Sequence, residues 1–250
     1  MDRFRVIKIV CFLLLPFIVY AGIKKVTTID CFGSNAYLLE TDSSLFLIDA
    51  GYPKYQEKIF KEIKSNNSLN KPLKLIILTH AHFDHYGSAQ RLKEMTGAKI
   101  AIHRLDSSDL HNAKTRIDRT NTFGFFGKTV LLPIALLIFQ PVKTPPDIIY
   151  ENDFTFNEFG LEAKVIHTPG HTDGSSTIVV EDSLVFFGDL IVKANTFSKQ
   201  KYYAVSWEQI DSSIITISTV PFKTGFIGHG VKTLDTIIMK RIVSTVKTSR

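Results

Sequence analysis

The stretch Thr79-His80-Ala81-His82-Phe83-Asp84-His85 constrains this chain more than any other part of it. It follows at once on the apolar run Leu75-Ile76-Ile77-Leu78. Packing rarely calls for three imidazoles and a carboxylate so close together, because histidine is only sometimes buried and aspartate almost never without a partner. All four side chains are donors for borderline metal ions, neutral imidazole and carboxylate both suiting zinc. A solvated loop carries two histidines by chance; this density at the end of a buried strand is a different matter.

Three further candidates stand in similar settings. His171 lies in His167-Thr168-Pro169-Gly170-His171-Thr172-Asp173-Gly174, after the strand-like Ala163-Lys164-Val165-Ile166. Asp189 ends Leu184-Val185-Phe186-Phe187-Gly188-Asp189, and His229 lies in Phe226-Ile227-Gly228-His229-Gly230. Each stands just past an apolar run bounded by Gly or Pro, the signature of a strand emptying into a loop. Loops on a rigid scaffold are where sites are built.

These residues resemble the metallo-β-lactamase superfamily, whose His-x-His-x-Asp-His motif is matched by His80, His82, Asp84 and His85. Its later His, Asp and His are matched by His171, Asp189 and His229. A weaker feature, an Ile-Asp-x-Gly turn, is present as Ile48-Asp49-Ala50-Gly51. The similarity runs from about Val26 to the C-terminus. The resemblance implies an α/β fold, a four-layer αββα sandwich, with two Zn²⁺ per chain; the donor types also admit Mn or Fe. It assigns His80, His82 and His171 to one ion and Asp84, His85 and His229 to the other, with Asp189 bridging. It also implies a shared hydroxide as nucleophile, oriented by Asp84 as the catalytic carboxylate, between ions about 3.5–4 Å apart.

Length and pattern agree with one large domain. A chain of 250 residues, 44% hydrophobic, is long enough to bury a full core. Val26–Ile29, Ala36–Leu39 and Leu45–Ile48 read as short strands, Gln56–Lys64 as an amphipathic helix, Ser88–Thr96 as a helix stopped by Gly97, and Lys99–Ile102 as the next strand. No repeat and no low-complexity linker interrupts this scheme.

Two segments lie outside it. Residues 1–23 form a hydrophobic N-terminal segment: Arg3, Arg5 and Lys8 precede the apolar run Ile9–Ile23, broken only by Pro16. That run is short of the about 20 residues of a membrane span. It reads as an anchor held by Lys24 and Lys25, or as a signal peptide cleaved after Val19-Tyr20-Ala21, with a buried helix as a third reading. The expected localisation is therefore membrane-associated through this segment, or secreted after cleavage. The second segment is a hydrophobic insert at 123–142, in a region where the family commonly places elements that flank its site. It reads as a lid or core helix; a lid that dips into lipid or receives an acyl chain, and a dimer contact, are the other readings.

Charge and cysteine say less. The net charge of +6 is compatible with anionic lipid or acidic substrates, but no Arg cluster interleaves with aromatics, which disfavours nucleic acid. Cys11 lies in the N-terminal segment, leaving Cys31 alone in the domain without a disulfide partner. Asp49 is expected to orient a ligand from behind, and His167 to act as a hydrogen-bonding neighbour rather than a ligand. His103 is expected to be structural, His111 solvent-exposed, and Thr172, Ser175 and Ser176 to bond backbone in the metal loop.

The resemblance narrows the chemistry. The bridging Asp189 speaks against true β-lactamases. The ligand set is that of glyoxalase II, without the C-terminal helical domain those enzymes carry. Quorum-quenching lactonases place a Tyr where this chain has Val192, and the arm of the tRNA-processing nucleases is not found. The expectation is a metal-dependent hydrolase: a dinuclear zinc enzyme attacking an ester, thioester or lactone, amphiphilic ones included. Its partners would be a small-molecule or lipid-like substrate and a membrane surface. A phosphodiesterase of the same fold, acting on a lipid or nucleotide, is one alternative. A mononuclear iron oxidoreductase, like the sulfur dioxygenases of this superfamily, is the other.

Overall fold

The computed structural model describes residues 22–66, 70–193, 195–230 and 233–248. The N-terminal segment 1–23, read as anchor or signal, lies outside the described residues except for its last two. Strands Lys25–Cys31, Ser34–Glu40, Leu45–Ile48, Leu73–Ile77, Lys99–His103 and Ile148–Tyr150 form one sheet in that order. The first three pair antiparallel; from Leu45–Ile48 onward the pairing is parallel. A second sheet runs Thr224–Phe226, Leu184–Phe186, Ser176–Val180, Ala163–His167.

The two sheets face each other, and strand alternation decides what each side chain meets. Tyr37, Leu39, Phe46, Ile48, Leu75 and Ile77 point inward onto Val165, Ile178 and Phe186 of the second sheet. Their neighbours Leu38, Leu45, Leu47 and Ile76 point outward and pack on Ile59 and Ile63 of helix Gln56–Ser65 and Leu92 of helix Ala89–Thr96. On the far side, Val179 and Val185 pack on Ile210 and Ile214 of helix Trp207–Ile217 and Met239 and Ile242 of helix Thr236–Thr248. The result is the four-layer αββα sandwich. Burial on both faces also explains why these strands read as unbroken apolar runs rather than alternating ones. Helix Ala89–Thr96 stops at Gly97, whose φ of 76° is the left-handed cap that glycine takes without strain.

The loops that hold His80 and His82, His171, Asp189 and His229 all follow the carboxyl ends of strands, at one edge of the paired sheets. The insert forms a continuous helical segment, Thr122–Phe139, with a π turn at Gly127–Leu131. Pro133 lacks the N–H that would bond back one turn, and the widened turn just before it accommodates the loss. Leu132, Ala135, Leu136 and Phe139 pack on the core, yet none of the residues Leu132–Phe139 is fully buried. The insert is therefore a surface helix rather than a core helix.

Candidate metal centre

The seven sequence-predicted donors converge. His80 and His82 leave the strand Leu73–Ile77 in a loop, and Asp84 and His85 sit on the short helix Phe83–Tyr86 that follows. Three sets of donor atoms lie within 4.8 Å of one another: His80, His82 and His171; His80, His85 and Asp189; Asp84, His85 and His229. Asp189 stands between the outer two sets, 3.5 Å from His171 Nε2 and 3.3 Å from both His85 Nε2 and His229 Nε2. A Cβ on Gly228 would collide with Asp189 Oδ1, so only glycine lets the His229 loop approach this closely.

Hydrogen bonds on the outer side of each ring determine which nitrogen faces the centre. His82 Nε2 donates to the Arg116 carbonyl at 3.0 Å, His171 Nδ1 to the Tyr203 carbonyl at 3.0 Å, and His229 Nδ1 to the Gly33 carbonyl at 3.0 Å. His85 Nδ1 donates to Asp49 Oδ2 at 2.9 Å. Thr79 Oγ1 spends its own hydrogen on Asp49, so it accepts from His80 Nδ1 at 3.1 Å. Every outer nitrogen thus carries a proton, and an inner nitrogen offers its lone pair to a metal wherever it carries no second proton. Asp49, which also accepts from the Thr79 N–H at 2.8 Å, orients two rings at once, one directly and one through a hydroxyl.

These lone pairs test whether a cation fits. His82 Nδ1 and His171 Nε2 face each other at 3.0 Å, and His85 Nε2 and His229 Nε2 at 3.3 Å. Two lone pairs at such distances repel unless a proton or a metal ion lies between them. His80 Nε2 and Asp189 Oδ1 are buried without any hydrogen-bond partner. Five imidazoles and two carboxylates turned toward one another, two of their atoms without a partner, are the donor set of a divalent metal site.

Electrostatics divides the cluster in two. Burial pulls His80 well below the usual histidine range, helped by His85 and His82, and pulls His171 down to about 4, helped by His82. On the carboxylate side, burial also works against charge on His229, but Asp189 overcomes it and holds the ring at about 10. His85 is raised well above its ordinary value against burial by Asp189, Asp84 and Asp49. Burial would raise Asp84, yet His85 and His229 bring it down to about 2. With only protons to compensate Asp84 and Asp189, the His85–His229 side holds charge, and a cation binding there must displace it.

Asp106 is the residue the sequence reading missed. Buried on helix Arg104–His111, its carboxylate accepts from Ala81 N–H at 2.8 Å, Gly174 N–H at 2.7 Å and Thr172 Oγ1 at 2.7 Å. It therefore ties the His80–His82 loop to the His171 loop. Burial raises its pKa, against the pull of these three donors. One signal could have found it: Leu110 is the buried apolar residue of that helix, and Asp106, four residues earlier, shares its face. The other oriented partners, the carbonyls of Gly33, Arg116 and Tyr203, leave no trace in sequence, because every residue has a carbonyl.

The neighbours expected to be structural stay off the cluster. His167 Nε2 bonds the Asp173 carbonyl at 2.7 Å, and its ring stacks on His103 at 4.2 Å. Ser175 Oγ accepts from Thr172 N–H and Ser176 Oγ donates to the Gly174 carbonyl, while His111 is exposed. His103 Nδ1 caps helix Arg104–His111, accepting from Leu105 N–H at 3.3 Å. Burial, with His167 and Arg104 adding to it, lowers the His103 pKa from 6.5 to about 4. A depressed histidine binds its proton less readily folded than unfolded, so its share of stability is complete above pH 6.5 and is lost as pH falls towards about 4. His103→Asn keeps a capping acceptor but does not titrate. Thermal midpoints measured across that window should therefore fall less steeply for the variant than for the unaltered chain; parallel curves would refute the assignment.

Beside the donors lies a cavity of about 260 Å³, walled on its other side by Tyr52, Phe83, Ile117, Leu131, Leu132 and Ala135. Gly127, Thr115 and Tyr203 complete the lining; it contains no Lys or Arg among the described residues.

Comparison with known proteins matches the metallo-β-lactamase superfamily profile to residues 29–229. The probable metallo-hydrolase YqgX of Bacillus subtilis is 30% identical over 159 residues, 63% of this chain and 66% of the relative. The hydroxyacylglutathione hydrolase GloC of Haemophilus influenzae is 24% identical over 211 residues, 82% of this chain and 90% of that enzyme. Among solved structures, the BLEG-1 B3 metallo-β-lactamase superposes with a TM-score of 0.66 at 20% identity, covering 89% of this chain and 98% of that one. The chain spans less than two thirds of the length of the first curated relatives it matches, from 54% to 66%.

Proposed function

The chain belongs to the metallo-β-lactamase superfamily, and from that premise we propose that it is a dinuclear zinc hydrolase acting on an ester, thioester or lactone. The observation that carries this reading is the orientation of five histidines, each with a ring N–H turned outward, around the buried Asp189 and the half-buried Asp84. His80, His82 and His171 would hold one ion; Asp84, His85 and His229 would hold the other; Asp189 reaches both groups. Bound there, such ions supply a water acidic enough to serve as nucleophile at neutral pH and a Lewis acid for the substrate oxygen.

The chain's own residues supply the rest. Asp84 and Asp189 stay ionised and offer acceptors for a proton leaving the nucleophile. Burial raises the pKa of the Tyr203 hydroxyl and nearby Asp84 adds to it, so the phenol remains a donor at the cavity wall. The apolar wall excludes water from the reacting centre. The absence of Lys and Arg from that lining favours an uncharged acyl group over a phosphodiester. The match to the hydroxyacylglutathione hydrolase GloC, which covers 90% of that enzyme, supports keeping a thioester among the substrates. The apolar run Ile9–Ile23 supports placing the protein at a membrane, by its N-terminal segment.

The test is initial rates on paired chromogenic acyl esters and phosphodiesters, before chelation, after chelation and after returning Zn²⁺. Acyl turnover lost to chelator and restored by zinc is expected. Equal rates with and without chelator, or a phosphodiester preference, would refute the reading.

A further inference from the structure

We propose that the helix Thr122–Phe139 docks its outer face on an anionic lipid surface, while its inner face receives the apolar chain of an amphiphilic substrate beside the metal centre. The composition of this helix is the first reason. From Phe123 to Phe139 the only polar side chains are Lys128 and Thr129. A helix apolar on all sides is either enclosed by protein or in contact with lipid, and this one is not enclosed. Phe123, Phe125, Phe126, Ile134, Leu137 and Ile138 are 51–75% exposed, a continuous apolar surface of the kind that marks an interaction site.

The helix is long and apolar enough to cross a membrane, but its attachments lay it along the domain instead. Asn121 caps it by accepting from Gly124 N–H, and a Cβ on Gly124 would collide with the Tyr202 carbonyl. A Cβ on Gly127 would strike the Tyr203 hydroxyl, so both glycines allow close seating. At the other end Lys54 Nζ donates to the Ile138 carbonyl at 2.8 Å. Held at both ends, the segment is an interfacial element rather than a span.

Charge favours a lipid surface over a protein partner. Between residues 114 and 143 the basic side chains Lys114, Arg116, Arg119, Lys128 and Lys143 face a single acid, Asp118. Arg116 and Arg119 also hold Asp173 and Glu208 at the surface. An apolar strip with basic flanks matches the headgroup–acyl boundary of a bilayer carrying anionic lipid.

The inner face gives the docking a purpose. Gly127, Leu131, Leu132 and Ala135 of the same helix line the cavity at the donor cluster, and Leu131 is both part of that lining and 52% exposed. The cavity, about 260 Å³, is smaller than the roughly 300–1,000 Å³ of pockets that enclose a whole small molecule. It holds the reacting group, with the apolar remainder lying along the helix towards the lipid. This substrate half rests on the hydrolase reading; the docking half does not.

Leu137→Trp in the full chain tests docking. With vesicles of phosphatidylcholine and phosphatidylserine brominated on their acyl chains, the new indole should lose roughly half its emission, because an interfacial helix buries its apolar face about 5–10 Å into the boundary. Ile237→Trp, at an exposed position on helix Thr236–Thr248, should lose little, and the unaltered chain corrects for Trp207. The difference should persist in chelator and shrink on pure phosphatidylcholine. Equal quenching of both variants, quenching of neither, or a concentration-dependent blue shift without quenching (a second copy covering the face) would overturn docking. Quenching undiminished on pure phosphatidylcholine would overturn its anionic component. For the substrate half, Ile134→Asp should slow hydrolysis of a vesicle-borne long-chain ester by roughly tenfold, the scale of losing one apolar side chain's transfer from water. A water-soluble short-chain ester should be turned over at the unaltered rate. Equal loss on both esters overturns the substrate half. If the unaltered chain hydrolyses neither, the hydrolase reading fails while the quenching still decides docking.

Discussion

Asp189→Ala should strip the proposed dinuclear centre of one of its ions and of nearly all turnover. The carboxylate approaches His85, His171 and His229 at once, and it is the group that reaches both sets of donors. Its ionised form is held well below the usual carboxylate range: burial works against it, but His229 and His85 more than offset that. Losing it removes one negative charge from a group of five imidazoles, four of them buried, and with it much of what would draw two divalent cations into one cavity. Metal content after dialysis should fall from about two ions per chain to one or fewer, the dinuclear stoichiometry being that of paired sites. The rate on the best acyl substrate should fall on the order of 10³-fold or more, because several kcal/mol of charge stabilisation disappear at about 1.4 kcal/mol per tenfold. Elemental analysis and chelator titration check the first part, and initial rates the second. A variant that keeps two ions and its turnover would remove Asp189 from the centre.

Asp106→Ala should do its damage through the fold. It leaves the N–H groups of Ala81 and Gly174 and the Thr172 hydroxyl without the carboxylate they now share, in a site that water does not reach. Breaking such a buried charged network costs about 3–5 kcal/mol, and a chain of this size should lose roughly 10 °C in melting temperature. Metal affinity should weaken about 10–100-fold as well, because the two loops the carboxylate ties together carry His80, His82 and His171. Asp106→Asn tests the charge separately: its amide NH₂ would confront a donor, so it should rescue the stability only in part. Calorimetry and zinc competition against a chromophoric chelator are the measurements. A stable Asp106→Ala protein of unchanged affinity would make this carboxylate incidental.

Much of the centre is legible in the sequence itself. His80, His82, Asp84 and His85 are close in sequence, and spacing alone keeps them near one another. The strands were legible as well, since a strand buried on both faces declares itself as an apolar run, as Leu45–Ile48 and Leu75–Leu78 do. Helix Gln56–Ser65 and the Gly97 stop followed from periodicity and from glycine's freedom at positive φ. His171, Asp189 and His229 were recognisable as candidates because each leaves such a strand, and the family resemblance ordered them.

Two things about this protein depended on local chemistry alone: the donor types, which specify a borderline divalent metal, and the alternation of apolar and turn residues, which specifies stacked sheets and helices. The tertiary structure decided what no local pattern encodes. It selected which nitrogen of each ring faces inward, because that depends on carbonyls of Gly33, Arg116 and Tyr203 brought in from distant loops. It made Asp106, one polar residue in a polar stretch, into the tie between two ligand loops. It also left the insert Thr122–Phe139 on the surface instead of in the core. Sequence records that this helix avoids water; only the folded chain shows that protein covers one side of it and leaves the other bare.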